Sequence, residues 1–101
     1  MSRVVMRELF SGSGVFSKKQ AEVLRSVIQN EIEAGEDIEL DFTGITRFTI
    51  LFFNFSIGYF VIVLGTEEYD KRITLTGLNE FGESLYRCSY NNAIKKIGRT
   101  D

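Results

Sequence analysis

Apolar positions along the chain switch between a two-residue and a 3.6-residue period, and each switch marks an element. RVVMRELF at 3–10 mixes Val4, Met6 and Phe10 with Arg3, Arg7 and Glu8, a strand signal. SGSG at 11–14 is a loop. Ser17 then opens SKKQ, a capping box with Gln20 at its fourth place, flanked by Phe16 and Ala21 in hydrophobic-staple positions. Ala21, Leu24, Val27 or Ile28, and Ile32 follow at helical spacing, and Gly35 stands where a left-handed cap ends a helix, so the pattern predicts a helix over 18–34. DIELDF at 37–42 alternates Ile38, Leu40 and Phe42 with Asp37, Glu39 and Asp41, the period of a strand, and TGIT provides a turn. After Gly65 the polar TEEYDK reads as a loop leading into RITLT, where Ile73 and Leu75 alternate with Arg72, Thr74 and Thr76. Gly77 to Asn79 makes a turn, with Asn79 as N-cap of a last helix carrying Phe81, Leu85, Tyr86 and Cys88.

One segment stands apart. Residues 47–65, RFTILFFNFSIGYFVIVLG, hold five of the nine Phe and no charge after Arg47. On a helix over 51–64, Phe53, Ile57, Phe60, Val61 and Leu64 cluster on the side to pack on a sheet, while Phe52, Phe55, Tyr59, Ile62 and Val63 spread over much of the rest. Only the sector of Asn54 and Gly58 lacks large apolar groups. A helix apolar almost all round is normally covered on more than one face. Either the flanking helices of the same chain do this, or a homodimer or partner interface centred on Phe52, Phe55 and Tyr59 does. Its apolar stretch is shorter than the roughly 20 residues a bilayer core requires, so membrane insertion is not expected.

The resulting β-α-β-α-β-α order predicts an α/β fold with a small, mostly parallel sheet and helices against it. The 101 residues fit a single domain over 1–101. A net charge of −2 supplies no general attraction to phosphate backbones, so nucleic acid is not an expected partner. No His is present, which removes the commonest general base and the commonest zinc ligand. Cys88 is the only cysteine; it forms no internal disulfide, suits a reducing cytoplasm, and reads as a small buried hydrophobe. Arg3 and Arg7 interrupt the opening residues, which are therefore not read as a signal peptide.

Other groups are weaker candidates. SGSGVFSKK departs from a phosphate-binding loop at Ser17 and Lys19, leaving a small-ligand or nucleotide-binding module as a minor alternative. Asp37, Glu39 and Asp41 share one strand face, a pattern expected of an exposed face near a sheet edge before a cation site, and no metal site or cofactor is expected. Lys95, Lys96 and Arg99 form a small basic tail. No base, nucleophile and pocket can be assembled into a catalytic set, and the chain reads as non-enzymatic.

ELDFTGITRF, an apolar helix ending at Gly65, and ITLTGLNEFGESLYRCSYNNAIKKI together resemble the STAS domain of bacterial anti-sigma factor antagonists and sulfate transporter tails, in particular the small STAS-like domains of unknown function. The resemblance covers roughly residues 16–97 and rests most specifically on LDFTGIT (40–46) and GLNE (77–80). In antagonists of this family Asp-Ser-Ser-Gly opens the second main helix, and a partner kinase phosphorylates a serine there. Here Thr49, Ile50, Leu51 and Phe52 align with it, so the acceptor serine is missing. Thr49 supplies the one nearby hydroxyl, a helix cap or a residual phosphoacceptor. The resemblance implies a regulatory interaction module whose switch is lost or altered. Its docking surface, made of Phe48, Thr49, Phe52, Phe55 and Tyr59, would meet a protein partner such as a kinase-like ATPase or a sensor. A homodimeric structural subunit with no switching role is the alternative.

Overall fold

DIELDF becomes the centre of a parallel sheet because its apolar residues all fall on one side. The computed structural model describes residues 1–98. In chain order the elements are β1 (Ser2–Val5), α1 (Met6–Leu9), β2 (Gly14–Val15), α2 (Lys18–Glu33), β3 (Ile38–Asp41), β4 (Arg47–Phe48), α3 (Ile50–Phe55), α4 (Ile57–Leu64), α5 (Thr66–Arg72), β5 (Ile73–Thr76) and α6 (Glu80–Gly98). The sheet runs β1-β3-β5, all parallel, with Ile38 level with Ser2 on one side and Ile73 on the other. Ile38, Leu40, Phe42 and Ile73 are buried, while Arg3, Glu39 and Thr74 lie on the opposite, solvent-facing side. The α/β class and the parallel sheet of the sequence pattern are therefore present.

Local signals place α2. Ser17 Oγ accepts the Gln20 N–H at 3.0 Å and Gln20 Oε1 accepts the Ser17 N–H at 3.0 Å, the reciprocal capping box. At the other end Glu36 N–H reaches Glu31 O and Gly35 N–H reaches Ile32 O, a Schellman arrangement that puts Gly35 at φ 81°. The face bearing Ala21, Leu24 and Ile28 is buried. Asn79 caps α6 through its side-chain oxygen, which accepts the Gly82 N–H at 2.7 Å.

Several expectations require correction. The strand expected over 3–10 stops at Val5, and Met6–Leu9 turn into a helix. TEEYDK is helical: Thr66–Arg72 opens with Glu67 and Glu68, closes with Lys71 and Arg72, and buries Tyr69, whose hydroxyl lies 3.1 Å from that of Tyr86. Burial pushes the Tyr69 phenol well above its ordinary pKa. The aromatic segment is two helices rather than one over 51–64. They meet at Ser56, with φ −106° and ψ −88°, where the buried Oγ donates to Phe52 O at 2.7 Å. A second small sheet, β2 beside β4, has strands too short to show a period.

Charged positions differ as well. β3 is the central strand, not one near an edge. Asp37 precedes it and pairs with Arg72, while Glu39 and Asp41 meet Arg3, so each of the three carboxylates has a cation of the chain beside it. Asp41 is buried beside Arg3; hydrogen bonds from Thr43 hold its carboxyl below the usual range. Cys88 is exposed, one position away from the buried Ser89 of α6. Of the basic tail, Lys95 and Lys96 close α6, and Arg99 lies outside the described residues. Among the described residues no single helix is long and apolar enough to cross a membrane; the pair 50–64 and 66–72 would suffice in length but is bent by 118°.

Candidate functional site

The helix layer explains how the aromatic segment is shared between core and surface. α3 packs against α2 on one side and α6 on the other, and α4 lies along α6. Phe53, Ile57, Phe60 and Val61 are buried, as the helical spacing predicts, while Leu64 of the same predicted face is only half-buried. The sector of Asn54 and Gly58, bare of large apolar groups, adjoins Ser89 of α6. A Cβ on Gly58 would lie 3.2 Å from Ser89 Oγ, and that hydroxyl donates to Asn54 Oδ1 at 2.6 Å. The missing side chain at Gly58 allows this approach, so Gly58 is buried under α6 while Asn54 stays exposed beside it.

Two of the expected docking residues belong to the core. Phe52 is 0% exposed and meets Phe10 edge to face, with ring centroids 6.1 Å apart. Its cover comes from the chain after α1, a stretch that the sequence pattern reads only as strand and loop. Phe48 is 6% exposed and stacks on Phe53 at 5.8 Å. It fills a hole left by Gly82, where an added Cβ would come within 2.6 Å of its ring.

Thr49, Phe55 and Tyr59 remain at the surface or near it. Phe55 is 36% exposed, and Tyr59 is half-buried. Phe16 at 45% and Leu51 at 42% are exposed as well; Ile62 and Val63 are exposed on α4, where Ile62 borders α6 beside Asn54, Gly58 and Ser89. Leu51 precedes Phe55 by one helical turn, a spacing that could have identified it from sequence. Phe16 carried only its place before the capping box, and its location depends on the Gly14–Val15 strand seating against Arg47–Phe48.

Cations lie over these rings. Lys18 Nζ is 5.0 Å from the Phe55 centroid, Arg25 Cζ is 3.7 Å from that of Tyr59, and Arg47 Cζ is 5.3 Å from that of Phe16. Thr49 sits between, N-capping α3. Its hydroxyl donates to Phe16 O at 2.8 Å and accepts the Phe52 N–H at 3.3 Å. Thr49→Ala lowers the free energy of unfolding by about 1 kcal/mol in urea titration, and Thr49→Ser restores most of it. An unchanged transition midpoint in the alanine variant would show that the hydroxyl caps nothing.

Elsewhere the polar groups are engaged structurally. In the SGSG loop, Ser13 O accepts the N–H groups of Thr46 and Arg47, and Gln20 Nε2 donates to Gly14 O at 3.1 Å. These bonds fasten the loop to β4 and α2. Tyr90 donates to Asp70 at 3.0 Å; burial, with this bond, pushes its phenol up to about 12.

The model of the family described as a STAS-like domain of unknown function (DUF4325) matches residues 20–83. The chain belongs to this STAS-like family. The matched region runs from the first turn of α2 to the first turn of α6 and includes both α3 and α4. Outside it lie β1, the SGSG loop and most of α6, so Phe10 and Phe16 come from a part of this STAS-like domain that the family model does not cover. No curated protein and no solved structure matches the chain.

Proposed function

We propose that this STAS-like domain is a non-enzymatic interaction module that docks a partner protein on the outer face of α3 and the adjoining start of α2. The observation carrying the reading is the clustering of exposed apolar groups there. Phe16, Leu51 and Phe55 are exposed around the starts of α2 and α3, where Thr49 bonds to Phe16 O and Lys18 lies over Phe55. Scattered single hydrophobics are ordinary on a surface, whereas a contiguous group rimmed by charge marks an interaction site. The rings are rigid and partly covered by cations, as suits hot-spot residues that are desolvated on binding. The antagonist resemblance directs the choice of partner toward a kinase-like ATPase or a sensor, and likeness of fold is the whole of that argument. With no serine at the aligned acceptor position and Thr49 held as a cap, we place the recognition in the surface itself rather than in a phosphorylation switch there.

Phe55→Asp tests the reading. The side chain is exposed enough for the variant to stay folded, with a circular dichroism spectrum matching wild type, while a carboxylate buried in an interface without a partner prevents docking. In capture experiments with wild type and variant as paired baits, the partner is retained by the first and lost from the second. Light scattering across a concentration series accompanies this. A wild-type dimer that the substitution converts to a folded monomer would replace partner docking by self-association.

A further inference from the structure

Resting on the docking reading above, we infer that the partner presents an acidic surface around an apolar anchor, and that it is not a second copy of this chain. The chain has 14 acidic and 12 basic residues, and its ion pairs lie away from this surface. Arg3 pairs with Glu39 and Asp41, Arg72 with Asp37 and Glu68, and Arg87 with Glu83. Among the described residues Lys18, Arg25 and Arg47 pair with no carboxylate, as is true of Arg7, Lys19, Lys71, Lys95 and Lys96, but these three lie over the rings of Phe55, Tyr59 and Phe16. A net negative chain thus keeps a positive excess, three cations beside Glu22, on this aromatic surface.

That excess selects the occupant. Docking strips water from the three cations, and a cation buried without a counter-charge is strongly unfavourable, so a neutral apolar partner gains the ring contacts and loses the hydration. Carboxylates placed around an apolar anchor keep both. Arg25, flat against Tyr59, also retains its guanidinium edge for a bidentate carboxylate contact. A second copy fits poorly for the same reason. A two-fold interface sets one patch against the same patch, which brings Lys18, Arg25 and Arg47 toward their own equivalents, three cations against the carboxylate of Glu22 that α2 places beside Lys18 and Arg25.

The experiment selects binders to the wild-type protein from a random-peptide library displayed on phage, keeping those that a Phe55→Asp protein does not retain. Expected sequences carry Asp and Glu around a Leu, Phe or Trp anchor. Their synthetic versions lose about tenfold in affinity or more toward the Lys18→Glu, Arg25→Glu, Arg47→Glu triple variant, and weaken as salt rises from about 50 to about 500 mM. Circular dichroism checks folding of the triple variant, and Lys18→Glu alone carries the test if it unfolds. Phe55-dependent peptides that are neutral or basic, or acidic ones indifferent to the charge reversals, overturn the inference and leave the docking site standing. A selection with no Phe55-dependent binder removes the docking site too. A concentration-dependent dimer of the wild type that Phe55→Asp dissociates overturns the exclusion of a second copy.

Discussion

Phe53→Ala lowers the free energy of unfolding by about 3–5 kcal/mol, the largest single-residue loss expected on the helix layer. Phe53 has no exposed surface, and its ring lies within 6.0 Å, centroid to centroid, of Phe42, Phe48, Phe52 and Tyr86. Those partners come from the end of β3, from β4, from α3 itself and from α6, so the ring joins the sheet to the helices over it. Truncation removes the buried area and leaves a cavity that several stiff rings cannot close. A domain of this size has about 5–15 kcal/mol in total, so the variant lies near the limit of folding. Phe55→Ala, two positions along on the outer face, changes stability by about 0.5 kcal/mol or less. Urea titration of the two variants beside wild type reads the difference. Equal losses at both positions would contradict the division of this segment into core and surface.

Gly77→Ala lowers stability by about 2–4 kcal/mol, and Gly35→Ala by about 1–2 kcal/mol. Both glycines have positive φ, 74° and 81°, so both variants carry the strain of a left-handed residue with a Cβ. Only Gly77 adds a collision. Its Cβ would stand 2.4 Å from Thr43 Oγ1, 2.6 Å from Thr43 N and 3.0 Å from Asp41 Oδ1, whereas nothing lies within 4 Å of a Cβ at Gly35. The Thr43 N–H donates to Asp41 Oδ1 at 2.9 Å, so the methyl group pushes on a turn already fixed by its own hydrogen bond. Comparing the two variants by thermal and urea unfolding isolates the steric part. Equal losses would mean that the β3 and β5 turns move apart without resistance.

These contrasts show where sequence reading succeeds. Elements governed by neighbours in the chain are legible: the Ser17–Gln20 box, the Gly35 cap and the Ile38, Leu40, Phe42 alternation each depend on residues a few positions apart. The family is legible for a similar reason, since LDFTGIT and GLNE record the two turns that Gly77 brings together. Thr66–Arg72 escapes because its one apolar anchor, Tyr69, finds cover in the distant Tyr86 and Tyr90; the acids at its start and bases at its end were the available signal. The candidate site is only half legible. Phe55 is exposed and Tyr59 half-buried, whereas burial of Phe48 and Phe52 depends on Gly82 and Phe10, far away in the chain. A helical wheel registers the polarity of Asn54, which is exposed, but not the room that Gly58 leaves for α6.

The strand pairings have a consequence for how the chain reaches this structure. Each of them, Ser2 with Ile38, Gly14 with Arg47 and Ile38 with Ile73, joins segments more than 30 residues apart. Among the described residues no hairpin exists to seed a sheet, so each ladder waits on the closure of a long loop. Helices such as α2, with both ends capped locally, form within microseconds, and the parallel strands register afterwards on the helices that connect them. Refolding is therefore paced by loop closure, and a shorter crossover speeds it even where native stability is unchanged.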